Sequence, residues 1–213
     1  MFRTVVIVAL LCGVAAPAAA EPEVLVGYGG FGTGFGGLYG DLGREFDSNV
    51  LRSTLHGGLR VDNVDVSWHF TAGFLGSDEV ALHGSELVSL AFGPDVRYLF
   101  GSPHDVAQLY VRGGFARVWW KGSDKVQRTC EQTGACTAGF YAEAPDYAGF
   151  AARAGVGIQI TPPMRRTNFY MHMSLDVGYQ LINMKLISDR ETGHMLTASF
   201  RIAYGGGRKG HSR

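Results

Sequence analysis

The segment Asn168–Met184, NFYMHMSLDVGYQLINM, restricts the fold more than any other stretch of the chain. Phe169, Met171, Met173, Leu175, Val177, Tyr179 and Leu181 fall on one face, and Tyr170, His172, Ser174, Asp176, Gly178 and Gln180 on the other. A period of two held over this length predicts a β-strand, because a helix with the same pattern would scatter its apolar residues around the whole cylinder. The strand is also long beside the roughly five or six residues usual in soluble sheets. One face is apolar and uncharged; the other is small and polar.

Most of the other regular segments repeat this design. Strands are predicted over Val24–Phe35, Val50–Val61, Val64–Leu75, Glu86–Phe100, Ala107–Trp120 and Ala148–Thr161, with a last one centred on Leu196–Tyr204. The facing of the first strand is ambiguous because of its many glycines, which suit the inside of a tightly curved sheet. Its Gly27–Gly32 run lacks the following helix that a phosphate-binding loop needs. Pro94 cannot donate to a ladder, so a bulge or local irregularity is expected there. Trp119 and Trp120 at the end of the fifth strand suit a headgroup-level anchor.

The connections alternate. Those at 38–49, 76–85, 121–147 and 185–194 are long and polar, whereas Asp62-Asn63, Gly101–Asp105 and Pro162–Thr167 are short. Eight strands with no helix pattern between them read as an antiparallel meander, and such a sheet escapes exposed edges by closing into a barrel.

The N-terminus reads as a secretory signal. Arg3 supplies the positive region, Val5–Val14 the apolar core and Ala18–Ala20 the small-residue cleavage site, so cleavage is expected after Ala20 and the mature chain starts at Glu21. Leu11 before Cys12 is too bulky for a lipoprotein signal. Cys130 and Cys136 then remain, and in an oxidising compartment a small disulfide loop is the simplest reading. A two-cysteine metal site is the alternative, without His or further Cys ligands nearby. Lysine plus arginine equal aspartate plus glutamate at 19 each, and no basic patch suggests nucleic acid. No cofactor motif, metal-ligand cluster or catalytic set is assigned.

Alternation leaves open whether the apolar face points inward, as in a soluble lipocalin-like lipid carrier, or outward, as in a membrane barrel. The polar faces carry no lysine and are dominated by Gly, Ala, Ser and Thr, which suit the narrow interior of an eight-stranded barrel. Their charges have both signs: Arg52, Arg60, Arg97, Arg112, Arg153 and Arg201 with Asp65, Asp95 and Asp176. These are expected to form a lumen charge network, because buried charges require partners. Aromatics gather towards strand ends, as in membrane girdles. The expectation is an all-β, eight-stranded antiparallel up-and-down transmembrane barrel over 21–204, with a Gly-rich basic tail over 205–213.

By this pattern the chain resembles the small eight-stranded bacterial outer-membrane barrels, the class that includes the OmpA transmembrane domain and OmpX. The resemblance implies a bacterial outer-membrane location with lipid as the surrounding partner, periplasmic termini and short turns, and long external loops. Phe200, Ile202 and Tyr204 are similar to the terminal aromatic signal of that class, with nine residues following. Two roles follow as expectations. One is non-catalytic, structural or adhesion-type, with an extracellular ligand met by the Lys121–Tyr147 loop. The other is a lipid A-modifying enzyme: His172-Met173-Ser174 is similar to the His-x-Ser pair of an outer-membrane deacylase family, with Asp176 on the same face. In that family Asn-Gly follows the serine, where this chain has Leu175-Asp176.

Overall fold

In a computed structural model, residues 24–42, 49–75, 87–122, 146–162, 169–185 and 190–209 are described. They form eight strands: β1 Val24–Gly40, β2 Asn49–Val61, β3 Val64–Leu75, β4 Leu87–Leu99, β5 Ala107–Gly122, β6 Asp146–Ile160, β7 Phe169–Lys185 and β8 Arg190–Lys209. Each pairs antiparallel with the next, and β1 pairs with β8, so the sheet is a closed barrel in chain order. The expected meander and closure are both present. The expected signal segment 1–20, Cys130 and Cys136, and residues 210–213 lie outside the described residues.

The apolar face points out. Phe35, Leu55 and Phe115 are 68, 63 and 66 % exposed, whereas Asp65, Asp95 and Arg97 inside are 0 % exposed. This arrangement is the reverse of a soluble carrier and fits a hydrocarbon solvent, in which a spanning sheet must satisfy all its backbone groups internally. Tyr98, Phe100, Phe169 and Tyr204 stand exposed at the short-turn end of the wall, where an aromatic girdle belongs.

Three local expectations change. β1 continues through Leu38 to Gly40, so the first connection is shorter than its polar composition suggested. β8 runs from Arg190 to Lys209, so most of the Gly-rich tail is strand: Gly205 pairs with Tyr170 on one side and Tyr28 on the other. Backbone hydrogen bonds hold these residues without help from side-chain alternation. Trp120 points into the lumen and is fully buried, leaving Trp119 on the outer wall under the Arg117 guanidinium at 5.8 Å.

At Pro94 the irregularity is a gap in the ladder and not a bulge. β4 pairs with β5 at Phe92↔Arg117 and again at Asp95↔Gly114, with the same register on both sides. No extra residue enters. Pro94, which has no N–H to donate, lies in this gap, while its pairing opposite Trp68 on β3 is kept.

The short turns are built from local polar groups. Asp62 adopts φ 50°, the left-handed conformation that a two-residue hairpin requires and that Asp tolerates. Its amide donates to the Val24 carbonyl at 2.9 Å and its carboxylate accepts the Val24 N–H at 2.8 Å, tying the start of β1 to the β2–β3 turn.

Inside, three layers stack along the axis. At the short-turn end, Val24, Val26, Tyr28, Tyr170 and Ala203 form a small apolar cluster. At the long-connection end, a larger apolar plug includes Leu38, Leu42, Val118, Trp120, Ile182 and Met184. The Asp95, Arg112, Asp176 and Arg201 side chains lie between them, whereas Arg60 sits at the short-turn end beside Tyr170.

The β1–β8 closure depends on close backbone approach. A Cβ on Gly205 would sit 2.1 Å from the Gly27 carbonyl oxygen, whereas one on Gly27 would meet nothing within 4 Å. Gly205→Ala should therefore lower barrel stability by about 1–3 kcal/mol through overpacking. Gly27→Ala should stay within about 0.5 kcal/mol of the parent. Urea unfolding of the two variants in detergent micelles checks the contrast.

Candidate functional site

Period-two facing turns charges from β2, β3, β4, β5, β6, β7 and β8 into the lumen, with Arg60 beside the short turns. Asp95 on β4 contacts His69 Nε2 at 3.0 Å and Arg112 Nη1 at 3.3 Å. Arg112 on β5 also reaches Asp176 on β7 through Nη2 at 2.6 Å, and Asp176 contacts Arg201 Nη2 on β8 at 3.1 Å. The Tyr110 hydroxyl donates to the same carboxylate at 3.2 Å. The result is a continuous chain, Asp95–Arg112–Asp176–Arg201, spanning half the barrel wall. Gly155 leaves room for it: a Cβ there would lie 2.9 Å from Arg112 Nε.

Asp65 takes a short hydrogen bond from the Tyr28 hydroxyl, and faces Arg97 Nη1 at 3.9 Å, an ion pair beyond hydrogen-bond length. Arg97 also stands over the Tyr110 ring at 5.5 Å. Two of the predicted network members are held otherwise. Arg60 has neutral acceptors: the Asp62 carbonyl at 2.8 Å, Gln108 Oε1 at 2.7 Å and the Tyr170 hydroxyl at 3.1 Å. Arg52 reaches Gln180 Oε1 at 3.4 Å, and among the described residues no carboxylate is hydrogen-bonded to it. Arg153 lies half-buried on the lumen side of β6, with Nε and Nη2 lacking any hydrogen-bond partner among the described residues. Six arginines thus share three aspartates, and the pairing is unequal.

Residues outside the predicted set complete the layer. His69, Tyr110, Gln108, Gln159 and Gln180 all sit on lumen faces that alternation identifies, but their pairing depends on register across several strands. Tyr28 was obscured by the glycines around it.

His172 and Ser174 do share the lumen face of β7, at 0 and 1 % exposure. They do not form a hydrogen-bonded pair: Ser174 Oγ and both ring nitrogens of His172 have no hydrogen-bond partner among the described residues. The imidazole packs edge-on against Tyr28 and Tyr170, with ring centroids at 5.0 and 5.3 Å. Asp176 is held by arginines and Tyr110. A general-base pair would need the imidazole within hydrogen-bond reach of the hydroxyl, with a third group orienting it. Among the described residues, no group of three or more His, Cys, Asp or Glu is placed to hold a metal.

The family model for the outer membrane protein beta-barrel domain matches residues 5–204. Among solved structures, Neisserial surface protein A is similar at 8 % identity and TM-score 0.53, covering 83 % of this chain and 95 % of that one. The N-terminal β-barrel domain of Pseudomonas aeruginosa OprF is 16 % identical, with TM-score 0.33 and coverage of 85 and 99 %. The outer membrane enzyme PagL is 13 % identical, with TM-score 0.44 and coverage of 84 and 98 %. At these identities the likenesses concern the fold alone. No curated protein matches the chain.

The geometry separates two carbon-for-charge exchanges. Asp176→Ala removes the acid shared by Arg112 and Arg201 and should cost about 3–5 kcal/mol, as expected when a buried charge loses its partner. Arg153→Leu, measured in chloride buffer free of phosphate and sulfate, should change stability by less than about 1 kcal/mol, because Nε and Nη2 give up no hydrogen bond. Equilibrium unfolding followed by the boiled-versus-unboiled gel shift measures both.

Proposed function

The chain belongs to the outer membrane protein β-barrel domain family, and from that premise we propose that it is a non-catalytic barrel acting through its extracellular loops in a structural or adhesion-type role. Lipid surrounds the wall, and the parts able to meet other partners are the connections at the end opposite the short turns. The loop 121–147 is the longest of these in sequence, and a Cys130–Cys136 disulfide would restrict its conformations and lower the entropy cost of presenting one surface. Export with cleavage after Ala20 belongs to the same reading.

The observation that carries the proposal is the filling of the lumen. The apolar plug around Trp120 and Met184 covers a charged layer, which rests in turn on a second apolar cluster. Such an interior supports neither a wide aqueous channel nor substrate entry from the short-turn side. The deacylase alternative has its His172–Ser174 pair turned towards the lumen, away from lipid, with both groups fully buried.

Cells displaying the intact barrel are expected to attach to host-cell or matrix-coated surfaces, and cells displaying a variant with residues 123–145 replaced by a short Gly-Ser linker are expected to lose attachment. Both proteins should keep the heat-shifted gel band of a folded barrel. Lipid A that loses an acyl chain when the parent is expressed, but not when Ser174→Ala is expressed, would overturn the non-catalytic reading.

A further inference from the structure

The four arginines Arg52, Arg112, Arg153 and Arg201 line one small cavity. Thr54 and Thr71 border it as well, and their hydroxyls lie 3.1 Å apart. Among the described residues, only two carboxylates, those of Asp95 and Asp176, reach this group of cations, through Arg112 and Arg201. Arg112 Nε, Arg153 Nε and Nη2, and Arg201 Nη1 are buried and have no hydrogen-bond partner among the described residues. The side chains of Arg112 and Arg201 are only 8 and 5 % exposed.

Guanidinium groups are donors only, so surplus donors facing one space call for an acceptor with several oxygens. The cavity measures about 30 Å³ for water-sized contents. That is room for two or three waters at about 10–15 Å³ each, or for one compact polyatomic anion. We propose that this lumen cavity is a binding site for a single tetrahedral oxyanion of the phosphate or sulfate class, held by Arg52, Arg112, Arg153 and Arg201. A negative ion here supplies the charge that the aspartates leave unmatched and accepts N–H groups from at least three strands. Arg153 is the determinant, since Nε and Nη2 are unsatisfied and no aspartate approaches it as closely as those on Arg112 and Arg201.

The test is refolding of the protein in detergent across a range of inorganic phosphate, with sodium chloride holding ionic strength constant. The unfolding midpoint is expected to rise with phosphate and saturate, and radiolabelled phosphate should co-elute with the folded barrel at one per chain. In Arg153→Gln the phosphate needed for half the effect should rise about tenfold or more. Arg60→Gln should retain the parent response, because Arg60 is held by neutral acceptors and does not line the cavity. The heat-shifted gel band verifies folding of each variant; should Arg153→Gln not fold, Arg153→Lys is read in its place and should weaken the response. An equal response to glycerol 3-phosphate would mean that the site accepts the group on a larger molecule; a response to inorganic phosphate alone would mean an enclosed ion. A rise that never saturates and is the same in the Arg153 variant would reflect general salt exclusion from the protein surface and would overturn the site.

Discussion

The hydrogen-bonded seam between β1 and β8 is the constraint on which the rest of the structure depends. In hydrocarbon an open sheet edge leaves backbone donors and acceptors without water, a cost of several kcal/mol for each group. Pairing runs from Val24↔Lys209 to Gly40↔Gly193, so the whole of β1 is covered. This explains why the first strand is poor in large lumen side chains and why β8 extends beyond its last apolar residue. Glycine at the seam is a packing requirement: the two backbones approach too closely for side chains at positions such as Gly205.

Closure then fixes what the interior can hold. The lumen is narrow, and Gly155 leaves the space that Arg112 occupies. The Asp95–Arg112–Asp176–Arg201 chain lies between the two apolar clusters, and a charge shielded from water is stable only near a partner. Arg112 answers this by lying between Asp95 and Asp176, whereas Arg60 answers it with carbonyl, amide and phenol oxygens. The lumen is therefore not one uniform salt-bridge network. Its acids are concentrated on some arginines and absent from others.

Much of this architecture was legible from residue order. Alternation in Phe169–Leu181 identified both faces of β7, and the absence of lysine from the polar faces indicated which side met lipid. The lumen placement of all nine predicted charges follows from the same period. Their partners were not legible, since Asp176 meets Arg112 two strands away and the choice depends on register and side-chain reach. Alternation also fails where the side chains are not alternating: the Gly205–Gly207 run is strand because backbone pairing needs no side chain. Trp120 shows the opposite limit, since adjacent tryptophans must face opposite ways and the pair could not both serve as anchors.

The contacts of Arg60 join β2 to Gln108 on β5 and Tyr170 on β7, across the lumen. None of these strands is a sequence neighbour of another, so no isolated hairpin can assemble the arrangement. An inserting sheet that has not yet closed must keep this guanidinium hydrated, and the water leaves only when the far strands arrive. Dehydration of the lumen and joining of the wall are consequently a single cooperative event. Contacts of this long range belong to the high-contact-order regime, in which folding is slow and partial structures gain little.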